Sequence, residues 1–325
     1  MRIAVVGAGA VGGYYAARFA AAGHEVAVIA RGAHLAAIRA HGLVIRSESG
    51  ELVTKPLAHE DARGIGPCDL VLVAVKAYDT VTALPLLEPL TGPATMVLTL
   101  QNGVDGPSAA ASVVGEARVL GGAAYIATAL AAPGVIVQTG RHHRVAFGEV
   151  FGPGPDVSPR ALALRDAFEN AGVDAEVHAD GRVPLWEKFV YLAPFAGLTG
   201  AARLPIGPLR ARPDTAALFE RASREVATLA RAEGIPIAHD LAARIREYVG
   251  ALPPGTRSSL LIDLQAGKRI EVEALQGAVV HRAAALGLDV PVMTTLYAVL
   301  REHADGRPGR NGSATPPPAP ASRPA

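Results

Sequence analysis

MRIAVVGAGAVGGYYAARFAAAG, residues 1–23, decides how the rest of the chain is read. Ile3 to Val6 is a short apolar run rich in β-branched residues, the composition of a buried strand. Gly7-Ala8-Gly9-Ala10-Val11-Gly12 follows with GxGxxG spacing, and Ala16 to Ala22 continues in helix formers. The order is strand, tight turn, helix. In such a unit the first glycine permits the turn, the second lets backbone approach a pyrophosphate, and the third lets the helix pack closely on the strand. The helix N-terminus then offers unpaired N–H groups to the phosphates. A flexible Gly/Ala loop is the plainer alternative, but the position between strand and helix favours a dinucleotide site over Gly7 to Gly12.

Glu25 to Ala30, EVAVIA, reads as the second strand, and the residue just past it is Arg31. NAD-binding units usually carry Asp or Glu there for the ribose 2′-hydroxyl, whereas arginine suits a 2′-phosphate. NADPH is therefore the cofactor expected. An exposed arginine in a turn, RGAH, is the competing reading.

Two further apolar runs have the character of parallel strands covered on both faces. Asp69 to Val75 ends in Lys76, and Thr95 to Leu100 ends in Gln101-Asn102-Gly103. Ligands in open parallel sheets bind outside such strand ends. Both polar endings use residue types that the chain otherwise avoids, since its four lysines are Lys55, Lys76, Lys188 and Lys268 and its three asparagines are Asn102, Asn170 and Asn311. Residues 43 to 60 resemble a hairpin with Ser-Gly at its turn. Further strands are expected in VLGGAAYIATAL, GVIVQTG and HRVAFGE, then a helix from Pro159 to Ala171 and a strand from Ala175 to His178. His142 and His143 fall in an expected loop, solvated and without clustered ligands, so no metal site is expected.

From about Asp180 the pattern turns helical, with apolar residues at three- and four-residue spacing over 183–202, 214–233, 239–250, 257–266, 270–287 and 292–303. Strands alternating with helices, followed by helices alone, predict an α/β Rossmann domain over 1–179 and an all-α domain over 180–304. The tail 305–325, rich in Pro, Gly, Ser and Ala, is expected to be disordered.

The chain has 325 residues, half of them hydrophobic, enough for two filled cores. Its net charge of +1 is spread without a basic stripe, so no nucleic-acid partner is expected. Cys68 is the single cysteine, which excludes an intrachain disulfide. No membrane-length apolar run and no secretory leader are present in the sequence, so a cytoplasmic, soluble protein is expected.

Lys188 stands in PLWEKF, between apolar neighbours at the start of the helical half. A lysine in an interdomain cleft exchanges a proton once burial has lowered its pKa, which arginine does not do. Lys188 is thus the candidate general acid, a snorkelling surface lysine being the alternative. Arg257-Ser258-Ser259 and Glu271-Val272-Glu273 are polar groups at helix starts, where N-capping competes with any functional reading.

Over nearly its whole length, tail excluded, the chain resembles the ketopantoate reductase (2-dehydropantoate 2-reductase) family. The resemblance rests on VGAGAVGGYYAARFAAAGHEVAVIAR, the strand ending in Lys76, LQNGV, WEK, SSLLIDLQAGKRIEVEALQGAVV and GLDVPV. It implies a Rossmann domain, a helical domain of the 6-phosphogluconate dehydrogenase C-terminal type, and NADPH-dependent reduction of ketopantoate to pantoate in pantothenate and coenzyme A biosynthesis. It further implies Lys188 as the acid, Asn102 orienting substrate near the nicotinamide, Lys76 contacting cofactor, Ser259 on the substrate carboxylate, and Glu271 holding the hydroxyl or the lysine. The family pattern places asparagines four and eight residues beyond the lysine, where this chain has Leu192 and Ala196, and often another where it has Thr256. That departure leaves open a relative reducing a more apolar 2-oxo acid, and an NADP(H)-binding regulatory protein without turnover. Family members include monomers and dimers, so a homodimer is open too.

Overall fold

The structure is a computed structural model that describes residues 1–306. Ten strands form one sheet: β1 (Arg2–Val6), β2 (Glu25–Ile29), β3 (Leu43–Ser47), β4 (Gly50–Thr54), β5 (Leu57–His59), β6 (Leu70–Val73), β7 (Met96–Thr99), β8 (Val119–Ala132), β9 (Val135–Glu149) and β10 (Ala175–Asp180). The path runs β4-β3-β9-β8-β7-β6-β1-β2-β5, with β10 beside β9. From β5 to β8 every neighbouring pair is parallel. The opening strand therefore lies inside the sheet, and chain order reverses across it, with β2 on one side and β6 on the other. A crevice outside the carboxyl ends of β1 and β6 follows from that reversal.

The apolar runs read as covered strands are covered on both faces. Alternate residues of β1 enter different cores, Ile3 and Val5 on one side and Ala4 and Val6 on the other. Helices flank the sheet: α1 (Ala10–Ala21), α2 (Gly32–His41), α3 (Thr80–Ala83), α4 (Gly106–Val114) and α5 (Pro159–Asn170). Gly12 lets α1 lie against the strand, because a Cβ there would stand 2.2 Å from the Gly7 carbonyl oxygen.

Where three strands were expected after Val119, the structure has one long antiparallel hairpin, β8 and β9. The backbone of His142 and His143 continues β9, which corrects the loop expected there. Residues 139–142 bulge out opposite Ala127, so Ile126 pairs with His143 while Thr128 already pairs with Gln138. The glycine at 140, with φ 73°, marks this bulge and not a strand end.

From Arg182 the chain is helical: α6 (Arg182–Ala202), α7 (Ile206–Ala211), α8 (Pro213–Ala232), α9 (Leu241–Ala251), α10 (Ser259–Gln265), α11 (Ala278–Ala285) and α12 (Pro291–Arg301). The short α7 lies between the expected helical segments 183–202 and 214–233, where Pro205, Gly207 and Pro208 interrupt the helical spacing. The helix expected over 270–287 is a π-turn, Glu273–Gly277, followed by α11. Residues 193–200 of α6 are buried throughout, as befits the central helix of this core. Apart from Asp305 and Gly306, the tail lies outside the described residues.

Candidate active site

The β1–α1 loop has the form a pyrophosphate requires. Gly7 turns with φ 95°, nothing stands within 4 Å of where a Gly9 Cβ would be, no side chain caps α1, and its first turn carries no acid. Free N–H groups and open space at a helix N-terminus fit a phosphate group. His34 braces this loop, a role no sequence pattern signals. Its Nδ1 accepts from the Gly134 N–H at 2.9 Å, so Nε2 is the nitrogen that donates to the Ala8 carbonyl at 2.7 Å.

Arg31 stands at the N-cap of α2, outside the end of β2. Its side chain is exposed and reaches the Asp79 carboxylate at 3.4 Å.

Lys76 and Asn102, outside the ends of β6 and β7, meet Lys188 and Glu271 from the helical half. Lys188 Nζ donates to Asn102 Oδ1 at 3.1 Å, and Asn102 Nδ2 donates to Glu271 Oε2 at 3.2 Å. The same Glu271 oxygen accepts from Lys76 Nζ at 3.3 Å, while its other oxygen accepts from the Ala77 N–H at 2.9 Å. Lys76 Nζ also donates to Asp263 Oδ2 at 2.8 Å. One polar chain thus joins both halves of the molecule, with Glu271, only 5% exposed, as its centre. The two partners of Asn102 fix the orientation of its amide.

The two lysines differ in kind. Burial pushes Lys188 down to about 8, against the opposing pull of Glu271, so its ammonium gives up a proton near neutral pH. Burial also acts to lower Lys76, but the Glu271 and Asp263 carboxylates outweigh it and hold that group above the usual lysine range. Lys76 is a fixed charge; Lys188 can act as an acid.

Leu192 lines a small cavity together with Lys188, Asn102, Leu185 and Phe189. Ala196, one turn further on, is fully buried in the helical core and does not reach the cleft. Thr256 Oγ1 donates to the Pro253 carbonyl at 2.7 Å and takes no part in the polar chain. Of the serine pair, Ser258 is the N-cap of α10, accepting from the Leu261 N–H at 3.0 Å. Ser259 is exposed and lies four residues before Asp263, on the helix face that Asp263 turns toward Lys76. Glu271 lies just before the π-turn and its side chain does not cap it, and Glu273 accepts from the Tyr297 hydroxyl.

No sequence expectation falls on Asp263, although it is the one charged residue of α10, SLLIDLQ. Gln276, fully buried, was missed as well; its Nε2 donates to the Ala193 carbonyl at 2.6 Å and ties the π-turn to α6 beside Pro194. A second clasp joins the halves where Arg282 of α11 binds Glu233 at 2.7 Å and also pairs with Asp105 at the start of α4.

Residues 3–152 match the family described as "Ketopantoate reductase PanE/ApbA", and residues 182–304 match its C-terminal counterpart. The chain belongs to the ketopantoate reductase family. Among relatives, a 2-dehydropantoate 2-reductase of Halobacterium salinarum is 33% identical over 93% of this chain and 98% of its own length. The uncharacterized oxidoreductase YkpB of Bacillus subtilis is 31% identical over the same shares. A solved ketopantoate reductase family structure from Ralstonia eutropha superposes with a TM-score of 0.84 at 34% identity, covering 94% of this chain and 98% of that one. As in ketopantoate reductase structures, a Rossmann sheet precedes a helical domain, and the chain is an oxidoreductase of this family. No helix among the described residues is long and apolar enough to cross a membrane.

Proposed function

We propose that the protein reduces ketopantoate to pantoate with NADPH, a step of pantothenate and coenzyme A biosynthesis, in the cytoplasm. Residues 1–179 would hold the cofactor and 180–304 would supply the acid. The observation that carries this reading is Lys188, lowered to about 8 and held by Asn102 beside the carboxyl ends of β6 and β7. When bound, NADPH would supply the hydride for the carbonyl carbon. Lys188 Nζ hydrogen-bonds the keto oxygen, stabilises the negative charge that develops there, and protonates it, leaving a neutral amine. Asn102 aims that ammonium, and Glu271 holds Asn102, Lys76 and the Ala77 N–H in register across the cleft. Ser259, one helical turn before Asp263 on α10, would take the substrate carboxylate. Gly7, Gly9 and Gly12 form the pyrophosphate cradle with Ala8, Ala10 and Val11, and Lys76 faces the same crevice.

Arg31 would bind the 2′-phosphate. Arg31→Ala is expected to weaken NADPH by about 10- to 100-fold, the worth of a charge-assisted phosphate contact, and NADH far less. Calorimetry with both cofactors checks this, and equal loss for the two would leave Arg31 a structural residue.

Leu192 favours a second reading, because the cavity wall beyond Lys188 is apolar where a hydroxylated substrate would want an amide. In that reading the substrate is a more apolar 2-oxo acid. The experiment for both is NADPH oxidation by the purified protein with ketopantoate and a panel of 2-oxo acids. Turnover of ketopantoate supports the first reading, and turnover of another acid with none of ketopantoate supports the second. NADPH binding without turnover of any acid would contradict both and leave a regulatory NADP(H)-binding protein.

A further inference from the structure

Arg31 is not a free cation. It follows β2, Asp79 ends the short 3-10 turn Ala77–Asp79 that follows β6, and β1 lies between those two strands. Their side chains meet at 3.4 Å across the carboxyl end of β1, where the glycine loop begins. Nicotinamide-binding folds usually place a carboxylate after β2 for a ribose 2′-hydroxyl; here Arg31 stands after β2, and the carboxylate it meets, Asp79, follows β6.

We infer that Asp79 sets the cofactor preference of this protein, competing with a 2′-phosphate for Arg31 and offering an acceptor to a ribose 2′-hydroxyl. The inference rests on the reading of Arg31 given above. The pair is exposed, with 69% of the Arg31 and 31% of the Asp79 side chain accessible, so it is weak and a phosphate displaces it. Once displaced, the carboxylate stands beside the phosphate dianion and repels it. With NADH, which lacks that phosphate, Asp79 keeps Arg31 and gains the hydroxyl. The preference for NADPH is therefore smaller than Arg31 alone would give.

The substitution that tests this leaves the backbone alone, because the contacts that shape the turn use the Asp79 peptide: its N–H donates to the Lys76 carbonyl, and its carbonyl accepts from Thr82 Oγ1. Dissociation constants for NADPH and NADH are measured by calorimetry on the full chain, for wild type, Asp79→Asn, Asp79→Ala and Arg31→Ala. Both Asp79 variants should shift the ratio of affinities toward NADPH by about fivefold or more, the worth of the lost competition. A ratio within twofold of wild type, or one shifted toward NADH, overturns the inference while leaving the reading of Arg31 intact. If Arg31→Ala weakens both cofactors equally, the reading beneath has failed and the inference falls with it.

Discussion

Lys188→Ala is expected to slow hydride transfer to the 2-oxo acid by about 10²- to 10⁴-fold, the usual contribution of a positioned general acid. Single-turnover oxidation of NADPH reads the rate, and calorimetry reads cofactor affinity, which should persist because the glycine loop belongs to the other half of the molecule. The size of the effect follows from the site. Lys188 is the one ammonium here whose burial brings it near neutral pH, whereas Lys76 is held charged by two carboxylates and has no proton to spare. Lys188→Arg should not rescue the rate, since a guanidinium stays protonated and its planar fork does not replace the single contact with Asn102 Oδ1. A rate unchanged in Lys188→Ala would remove this residue as the acid.

Glu271→Ala should be the next most damaging change, and in two ways. The buried carboxylate accepts from the Ala77 N–H, Asn102 Nδ2 and Lys76 Nζ, and of these three donors only Lys76 Nζ has another acceptor, Asp263. Leaving the peptide N–H and the amide unpaired should cost about 1–3 kcal/mol of stability, read by denaturant unfolding. Because Glu271 also raises Lys188, its removal lets Lys188 fall further below 8. The ammonium is then lost at lower pH, and the alkaline limb of the rate profile moves toward acid. Glu271→Gln should keep more of the stability, since an amide oxygen still accepts from Ala77, yet shift the limb in the same direction. A purely structural role would lower stability without moving that limb.

Much of the fold was legible because its signals are local. The β1–α1 unit is written in consecutive residues, and β6 and β7 announce themselves as apolar runs ended by a lysine and an asparagine that the chain otherwise spares. Lys188 could be singled out for the same reason. The partnerships could not, because they join distant residues: Lys76 finds Asp263 across 187 positions, and Asn102 finds Glu271 across 169. The bulge at 139–142 was misread since its glycine marks a turn as readily as an irregular strand. Ala196 was placed at the site by analogy along one helix, but the packing of α6 turns that residue into the core.

The pH dependence of kcat/KM for reduction, followed between about pH 6 and pH 10, tests the central claim most directly. The free enzyme must carry a protonated Lys188, and burial has lowered that group to about 8. The account predicts a plateau below that pH and a tenfold fall per unit above it, with the limb displaced toward acid in Glu271→Gln. A profile flat to about pH 10, or the same limb surviving in the residual activity of Lys188→Ala, would contradict it.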